Sequence, residues 1–246
     1  MIKIDFYTVF WREMVVLKRR LWKFLVSRMV SPFLYLVAFG WGLGRSIQMN
    51  GGNYLQFVVP GIIALSAMNT SFNSVGTSLN MSRLYHKTLE EYLIAPISAF
   101  SVVLGNVLAG SLRGILSSVI ILGLAYVFGA KITVNFWFVL VVLLTCFLFA
   151  SLGVVAAMTI DSHEDMSNFS TFVILPMSFL CGTFFSSEKL PRLFHYFVEL
   201  LPLTHASQSL RAIALGYDFP AVSLLVLFGY SLVLFAAGVI VVRRVR

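Results

Sequence analysis

Charge is the scarcest resource in this sequence. Asp, Glu, Lys and Arg make up 11% of its 246 residues, with 10 acids against 18 bases. Soluble domains carry about 25% charged residues, so the chain lacks the material for a solvated surface. No polar stretch is long enough to fold as a separate soluble domain. The two cysteines, Cys146 and Cys181, both lie in apolar runs; that excludes a disulfide framework and suits thiols packed as small hydrophobes. An internal engine is missing as well. There is no Gly-x-x-x-x-Gly-Lys-Ser/Thr phosphate loop, no His-Glu-x-x-His zinc pair and no Ser or Cys nucleophile motif, so no catalytic and no metal-ligating residue is assigned. The apolar runs also lack the chain of Asp, Glu and His that a proton relay requires. A compact apolar core followed by a small-residue cleavage site is absent near the N-terminus, so no removable signal peptide is expected.

What is abundant is oil. Hydrophobic residues are 59% of the chain and the mean hydropathy is +0.91, against about 45–50% apolar residues in soluble domains. A membrane helix needs about 20 mostly apolar residues. Six such runs are predicted, at about 29–47, 54–79, 99–128, 135–160, 168–185 and 219–242. The fold class expected is therefore an all-α membrane protein. Residues 29–246 form one six-helix transmembrane domain, and residues 1–28 form an amphipathic interfacial helix with a basic flank. In that flank Phe6, Phe10, Met14, Leu17, Leu21 and Phe24 recur at helical spacing opposite Asp5, Thr8, Arg12, Arg19 and Lys23. Two roles are open for it: a helix lying in the headgroup region, or a flank that only sets topology. Residues 186–217 are too polar for a span and too apolar for an ordinary loop, and are read as short re-entrant helices packed against protein on the outer side.

The net charge of +8 reads as topology and gives no sign of nucleic-acid binding. With both termini inside, 12 Lys and Arg flank the spans on the inner side: Lys3, Arg12, Lys18, Arg19, Arg20, Lys23, Arg28, Arg83, Lys87, Arg243, Arg244 and Arg246. Lys131, Lys189, Arg192 and Arg211 lie outside. This bias orients the chain with both termini cytoplasmic.

Several features then stand out. Gly40 and Gly44 form a small-xxx-small pair in the first span that permits close helix approach, and Gly51-Gly52-Asn53 marks a tight outer turn. Ser66, Thr70, Asn73, Thr77 and Asn80 form a polar stripe in the second span. It serves either to bond helices together or to wall a polar pathway. Arg113 sits near mid-membrane, at a cost of about 2.5–3.5 kcal/mol on insertion scales, and must face protein or water; it contacts either an anionic substrate or structural groups. The Asp161-Ser-His-Glu-Asp165 run has no metal-loop pattern and reads as a solvated inner loop. Last, Ser82–Pro96 gathers Arg83, His86, Lys87, Glu90 and Glu91 between two apolar runs. Read as one cytosolic helix, its bases sit at the N-terminal end and its acids at the C-terminal end. That opposes the helix dipole and calls for a partner to hold it, unless it is a simple solvated connector.

Tyr54-Leu-Gln-Phe-Val-Val-Pro-Gly61, Leu89-Glu-Glu-Tyr-Leu-Ile-Ala-Pro96, Arg113-Gly114, Thr171-Phe172, Pro176, Phe185-Ser186, Leu190-Pro191, Leu210-Arg211 and Gly216 follow one another in an order that resembles the permeases of type-2 ABC exporters, nearest their drug and lipo-oligosaccharide branch. Leu201-Pro202 stands where many members have Asn-Pro. The resemblance implies a half-transporter that pairs with itself in the bilayer, in a bacterial inner membrane, and with two ABC ATPase subunits. No cofactor is expected in this chain; ATP and Mg2+ belong to the partner. The 82–96 segment becomes a coupling helix, with Arg83, His86, Lys87, Glu90, Glu91 and Pro96 as the residues facing the ATPase. Tyr35, Phe39, Phe72, Arg113, Phe179 and Phe184 would line the translocation pathway for an amphiphilic, drug-like or lipid-linked oligosaccharide cargo. A self-sufficient channel or secondary carrier is the alternative.

Overall fold

The computed structural model describes residues 2–38, 48–49, 52–88, 97–130, 132–182, 192–217 and 220–245. The helices are α1 (Ile2–Arg19), α2 (Leu21–Leu36), α3 (Tyr54–Leu84), α4 (Ala99–Val127), α5 (Phe136–Thr159), α6 (His163–Phe169), α7 (Leu175–Leu180), α8 (Arg192–Glu199), α9 (Pro202–Leu215) and α10 (Ala221–Val245). A π-helical turn, Ser170–Ile174, joins α6 to α7. Strands β1 (Gln48–Met49) and β2 (Gly52–Asn53) pair antiparallel, Gln48 opposite Asn53, where the sequence predicts a turn. Among the described residues α3, α4, α5 and α10 are long and apolar enough to cross a membrane. This is a multi-pass membrane protein. The first predicted span lies partly outside the described residues, with Gly40, Gly44 and Phe39, and the fifth is divided by the π turn.

Local sequence sets many of the boundaries. Ser98 and Asn135 cap α4 and α5 through their side-chain oxygens, which accept from the Ser101 and Phe138 amides. Gly216, at φ 75°, ends α9 in the left-handed conformation that glycine adopts without strain. The π turn has a cause in Pro176. Its ring has no N–H and crowds the carbonyl four residues back, and just before it the Leu175 amide reaches five residues back to the Ser170 carbonyl.

Three sequence expectations need correction. The N-terminal helix breaks at Arg20, so α2 begins at Leu21 and runs through the predicted start of the first span. The stripe of α1 that packs on protein is Val9 and Leu17, both buried, with Glu13 between them; Phe6, Phe10 and Met14 are half-buried and Leu21 is exposed. The acidic run after α5 is no open loop: Ser162 caps α6 by accepting from the Asp165 amide at 2.9 Å, and its hydroxyl bonds the Asp165 carboxylate at 2.6 Å. Finally, Ser82–Pro96 is not one helix. Residues 82–84 finish α3, and Lys87 turns the chain at φ 53°. Glu90, Glu91 and Pro96 lie outside the described residues. Arg83 thus occupies the last turn of α3, where a cation complements the dipole, and the adverse charge order inferred for a single helix dissolves.

α3 is the central post. It packs most extensively on α5 and α4; α5 in turn carries α10, and α9 lies against α3, α5 and α10. Phe72, Phe149, Ile62, Ile63, Met68, Leu203, Leu210 and Leu227 fill the larger core, and a smaller one gathers Val75, Val103, Val107, Val154 and Val242. Small residues let the posts close. A Cβ on Gly153 would stand 2.9 Å from the Phe72 carbonyl oxygen and 3.0 Å from the Gly76 nitrogen, and one on Gly114 would meet Ser71 Oγ and Cys146 Sγ. Close helix approach is therefore found among the described residues at Gly76–Gly153 and Gly114; Gly40 and Gly44 lie outside them.

Arg83 pins the end of this packing at the close of α3. Its guanidinium donates to the carbonyls of Ala157 at 3.1 Å and Met158 at 2.6 Å and pairs with Asp161, closing the C-terminus of α5. Nearby, Asn80 donates to the Ile160 carbonyl at 3.0 Å. Arg83→Ala should strip the end of α5 of its donors and cost about 1–3 kcal/mol. The readout is the apparent melting temperature of the detergent-purified chain; a melt equal to wild type would mean that water replaces the arginine at no cost.

Candidate translocation groove

Three cavities open along one side of α3. The largest, about 680 Å³, lies where α1, the first half of α2, the end of α3 and Arg113 of α4 meet. A second, about 260 Å³, shares Ser27, Arg28 and Asn73 with it and adds Ser31, Tyr35, Asn69 and Thr70. A third, about 270 Å³, shares Tyr35, Leu65, Asn69 and Asn73 with the second and is bounded on its far side by Ser170 and Thr171 of the π turn, Ser178 and Phe179. Shared walls make them one groove. It follows α3 from Ser82 to Ile62, about 20 residues or roughly 30 Å at 1.5 Å per residue, which is the thickness of the hydrocarbon core.

The groove changes character along its length. At the Ser82 end Arg12, Glu13, Arg20, Lys23, Arg28 and Arg113 bring five cations and one carboxylate. The middle is uncharged and polar. Asn69 and Asn73 each donate to a carbonyl four residues back, at 3.1 and 2.8 Å, which leaves their amide oxygens as acceptors. Beyond them Tyr35 and Phe179 supply aromatic surface, Phe179 being exposed. The polar stripe of α3 therefore has two uses. Ser66 bonds Ser117 of α4 at 2.7 Å and Asn80 bonds the end of α5, while Asn73 and Thr77 line the groove.

Arg113 is held by structure. It donates to the Glu13 carboxylate at 2.8 Å, to the Glu13 carbonyl at 3.2 Å and to the Ser74 carbonyl at 3.3 Å. Pairing explains how a cation is tolerated in mid-helix: its charge is met by a carboxylate and two further N–H groups by backbone oxygens. Sequence reasoning missed Glu13, yet a signal was there. Glu13 falls four residues after Val9 and four before Leu17, on the stripe that α1 turns toward protein, and an acid placed there requires a base.

Among the other predicted pathway residues, Tyr35 and Phe179 border the groove. Phe72 does not. It is fully buried and stacks on Phe169 with centroids 5.8 Å apart, because its position on α3 faces the end of α6 from inside the core. Phe39 and Phe184 lie outside the described residues. Of the predicted docking residues, His86 and Lys87 are exposed, whereas Arg83 is turned into the bundle. At the opposite end Arg211 of α9 ties three elements together: it donates to the carbonyls of Gly182 at 2.8 Å and Phe57 at 3.1 Å, its guanidinium 3.7 Å from the centre of the Phe57 ring. The sequence signalled Arg211 only through its resemblance motif.

Comparison with known proteins adds a family. A family model described as ABC-2 type transporter matches residues 4–215. The chain is 29% identical over 218 residues to the inner membrane transport permease YadH of Escherichia coli K12, covering 87% of this chain and 84% of that one. It is 30% identical over 225 residues to nodulation protein J of Rhizobium meliloti, covering 89% and 86%. Nodulation protein J of Bradyrhizobium diazoefficiens is 28% identical over 251 residues, covering 97% and 93%.

Proposed function

The chain belongs to the ABC-2 type transporter family, and on that premise we propose that it is the permease half of an ATP-driven exporter in a bacterial inner membrane. The groove along α3 carries this reading. A polar furrow as long as the hydrocarbon core is thick, open on the side of α2 and of the π turn, is half of a pathway. A second copy of the chain would supply the other half. Exposed apolar side chains on both rims, Val30, Phe33 and Leu34 of α2 and Phe172, Leu175 and Phe179 of the fifth segment, suit burial against that copy. The six-span layout, with both termini cytoplasmic and α8 and α9 as the outer re-entrant pair, follows the Lys and Arg bias.

Energy comes from two ABC ATPase subunits, which hold the ATP and Mg2+. They dock on the segment that follows α3: His86, Lys87, Glu90, Glu91 and Pro96 meet the ATPase, while Arg83 anchors the segment to α5. The cargo is amphiphilic, a drug-like or lipid-linked oligosaccharide molecule taken from the cytoplasm or inner leaflet and passed by Arg113 toward Tyr35, Phe39, Phe179 and Phe184.

The paired reversal Glu90→Arg with Glu91→Arg tests this. Placing bases where an acid-matched groove expects carboxylates should cut permease-stimulated ATPase activity on the order of tenfold, with membrane insertion intact. Unchanged stimulation in the purified complex would remove these residues from the docking surface. Gradient-driven flux through vesicles holding this chain alone would point instead to a channel or secondary carrier.

A further inference from the structure

The largest cavity is unlike the rest of the groove in one respect: its charge is unbalanced. Glu13 is the one carboxylate among the residues lining it, and that carboxylate is already committed, at 2.8 Å from Arg113 and 3.9 Å from Arg12. Among the described residues no ion pair engages Arg20, Lys23 or Arg28, although all three line the same cavity. Arg28 is half-buried, with its guanidinium 5.8 Å from the ring centre of Phe24 one turn before it on α2, while Arg20 and Lys23 are exposed. Like charges that converge on a half-enclosed space repel unless an anion joins them.

The remaining walls say what sort of anion. Ser27, Ser78 and Ser82 add hydroxyl groups, while Val16, Phe24 and Met81 add apolar surface. On α2 the neighbouring stripe Val26, Val30 and Phe33 is exposed, an apolar track leading away from the cations. A charged head and a hydrocarbon tail would thus each find their own surface. Guanidinium groups match phosphate oxygens in geometry as well as charge, and the volume of about 680 Å³ falls within the usual range for small-molecule sites.

We propose that this vestibule binds the phosphate headgroup of a membrane amphiphile through Arg20, Lys23 and Arg28, with the apolar chains leaving along α2. Its role as the loading end of the groove rests on the export reading above; the binding itself does not, and it is measured without any ATPase.

The test uses the full-length chain released from nanodiscs made of equal parts phosphatidylglycerol and phosphatidylcholine, with retained lipid counted by native mass spectrometry. Wild type should keep phosphatidylglycerol over phosphatidylcholine on the order of tenfold. Arg20→Gln with Lys23→Gln and Arg28→Gln should abolish the preference, and Arg28→Gln alone, a milder change should the triple variant fold poorly, should reduce it about threefold. A variant with Lys18→Gln, Arg19→Gln and Arg243→Gln removes as many charges outside the cavity and should keep it. Equal loss in both triple variants, or no preference in wild type, overturns the site. Two competitors separate the sources. Displacement by a prenyl monophosphate at low concentration identifies a cargo-type headgroup, and resistance to it a resident bilayer lipid. Displacement by inorganic pyrophosphate as effective as by the prenyl compound would overturn the amphiphile assignment.

Discussion

A Gly153→Val chain should fail to form the native bundle, while a Gly123→Val chain should behave as wild type. Both glycines sit inside long helices, so the change in helix propensity is alike. Their surroundings differ. A Cβ at Gly123 meets nothing within 4 Å, whereas at Gly153 it meets the backbone of α3 at 2.9 and 3.0 Å and Val75 Cβ at 3.3 Å. Backbone atoms cannot rotate aside as a flexible side chain does, so α3 and α5 must separate along their most extensive contact. Overpacking of this kind costs about 3 kcal/mol or more. The bilayer offers little to offset it, since lipid tails are as apolar as the helices and close packing is what holds them together. Size-exclusion chromatography after stepwise heating in detergent reads the result. Valine at 153 melting with valine at 123 would show that the helices have slack at this contact.

The second large effect belongs to the Glu13–Arg113 pair. Arg113→Ala leaves a carboxylate that is 14% exposed with only the more distant and exposed Arg12, 3.9 Å away, as a base, and removing one partner of a buried pair costs roughly 3–5 kcal/mol. Arg113→Lys keeps the charge but loses the forked contacts to the Glu13 and Ser74 carbonyls, so its loss should be smaller. Glu13→Arg with Arg113→Glu restores opposite charges and should recover most of the stability lost in either single reversal. Melting of the purified chain is the decisive measurement, because Arg113 also borders the vestibule and transport would mix two effects. An exchange no better than the single reversals would mean that geometry, and not charge pairing, fixes the site. The tether also gives α1 a fixed place in the fold, bolted to the middle of α4 beside the groove mouth.

Much of the fold is written locally. The predicted spans at 99–128 and 135–160 coincide with α4 and α5 because Ser98 and Asn135 mark their starts. The last span ends in Arg243 and Arg244, which α10 carries in its final turn. Errors fell where local signals conflict. A run of charge after α3 looked like one helix, yet a left-handed residue at Lys87 divides it, and lysine does not announce that conformation as glycine would. Spacing of bulky residues picks out Phe6, Phe10 and Met14 in the N-terminal helix, whereas small Val9 and acidic Glu13 are what face α4, where a Cβ on Gly105 would touch Val9 at 2.7 Å.

By itself, the sequence determined that this chain lives in a bilayer, where most of its spans lie and which family it joins. A membrane's demand for about 20 apolar residues per crossing acts on contiguous stretches, and motif order is linear too. Only the tertiary structure decided what each polar group inside is for. Arg83 meets Asp161 across 78 positions and Arg113 meets Glu13 across 100, and the stripe of α3 divides between bonding and lining according to which helix faces each residue. In hydrocarbon an unmatched polar group is costly enough that each must find a partner or a cavity. Which one it finds depends on how the helices pack, and nothing in the neighbouring residues specifies that.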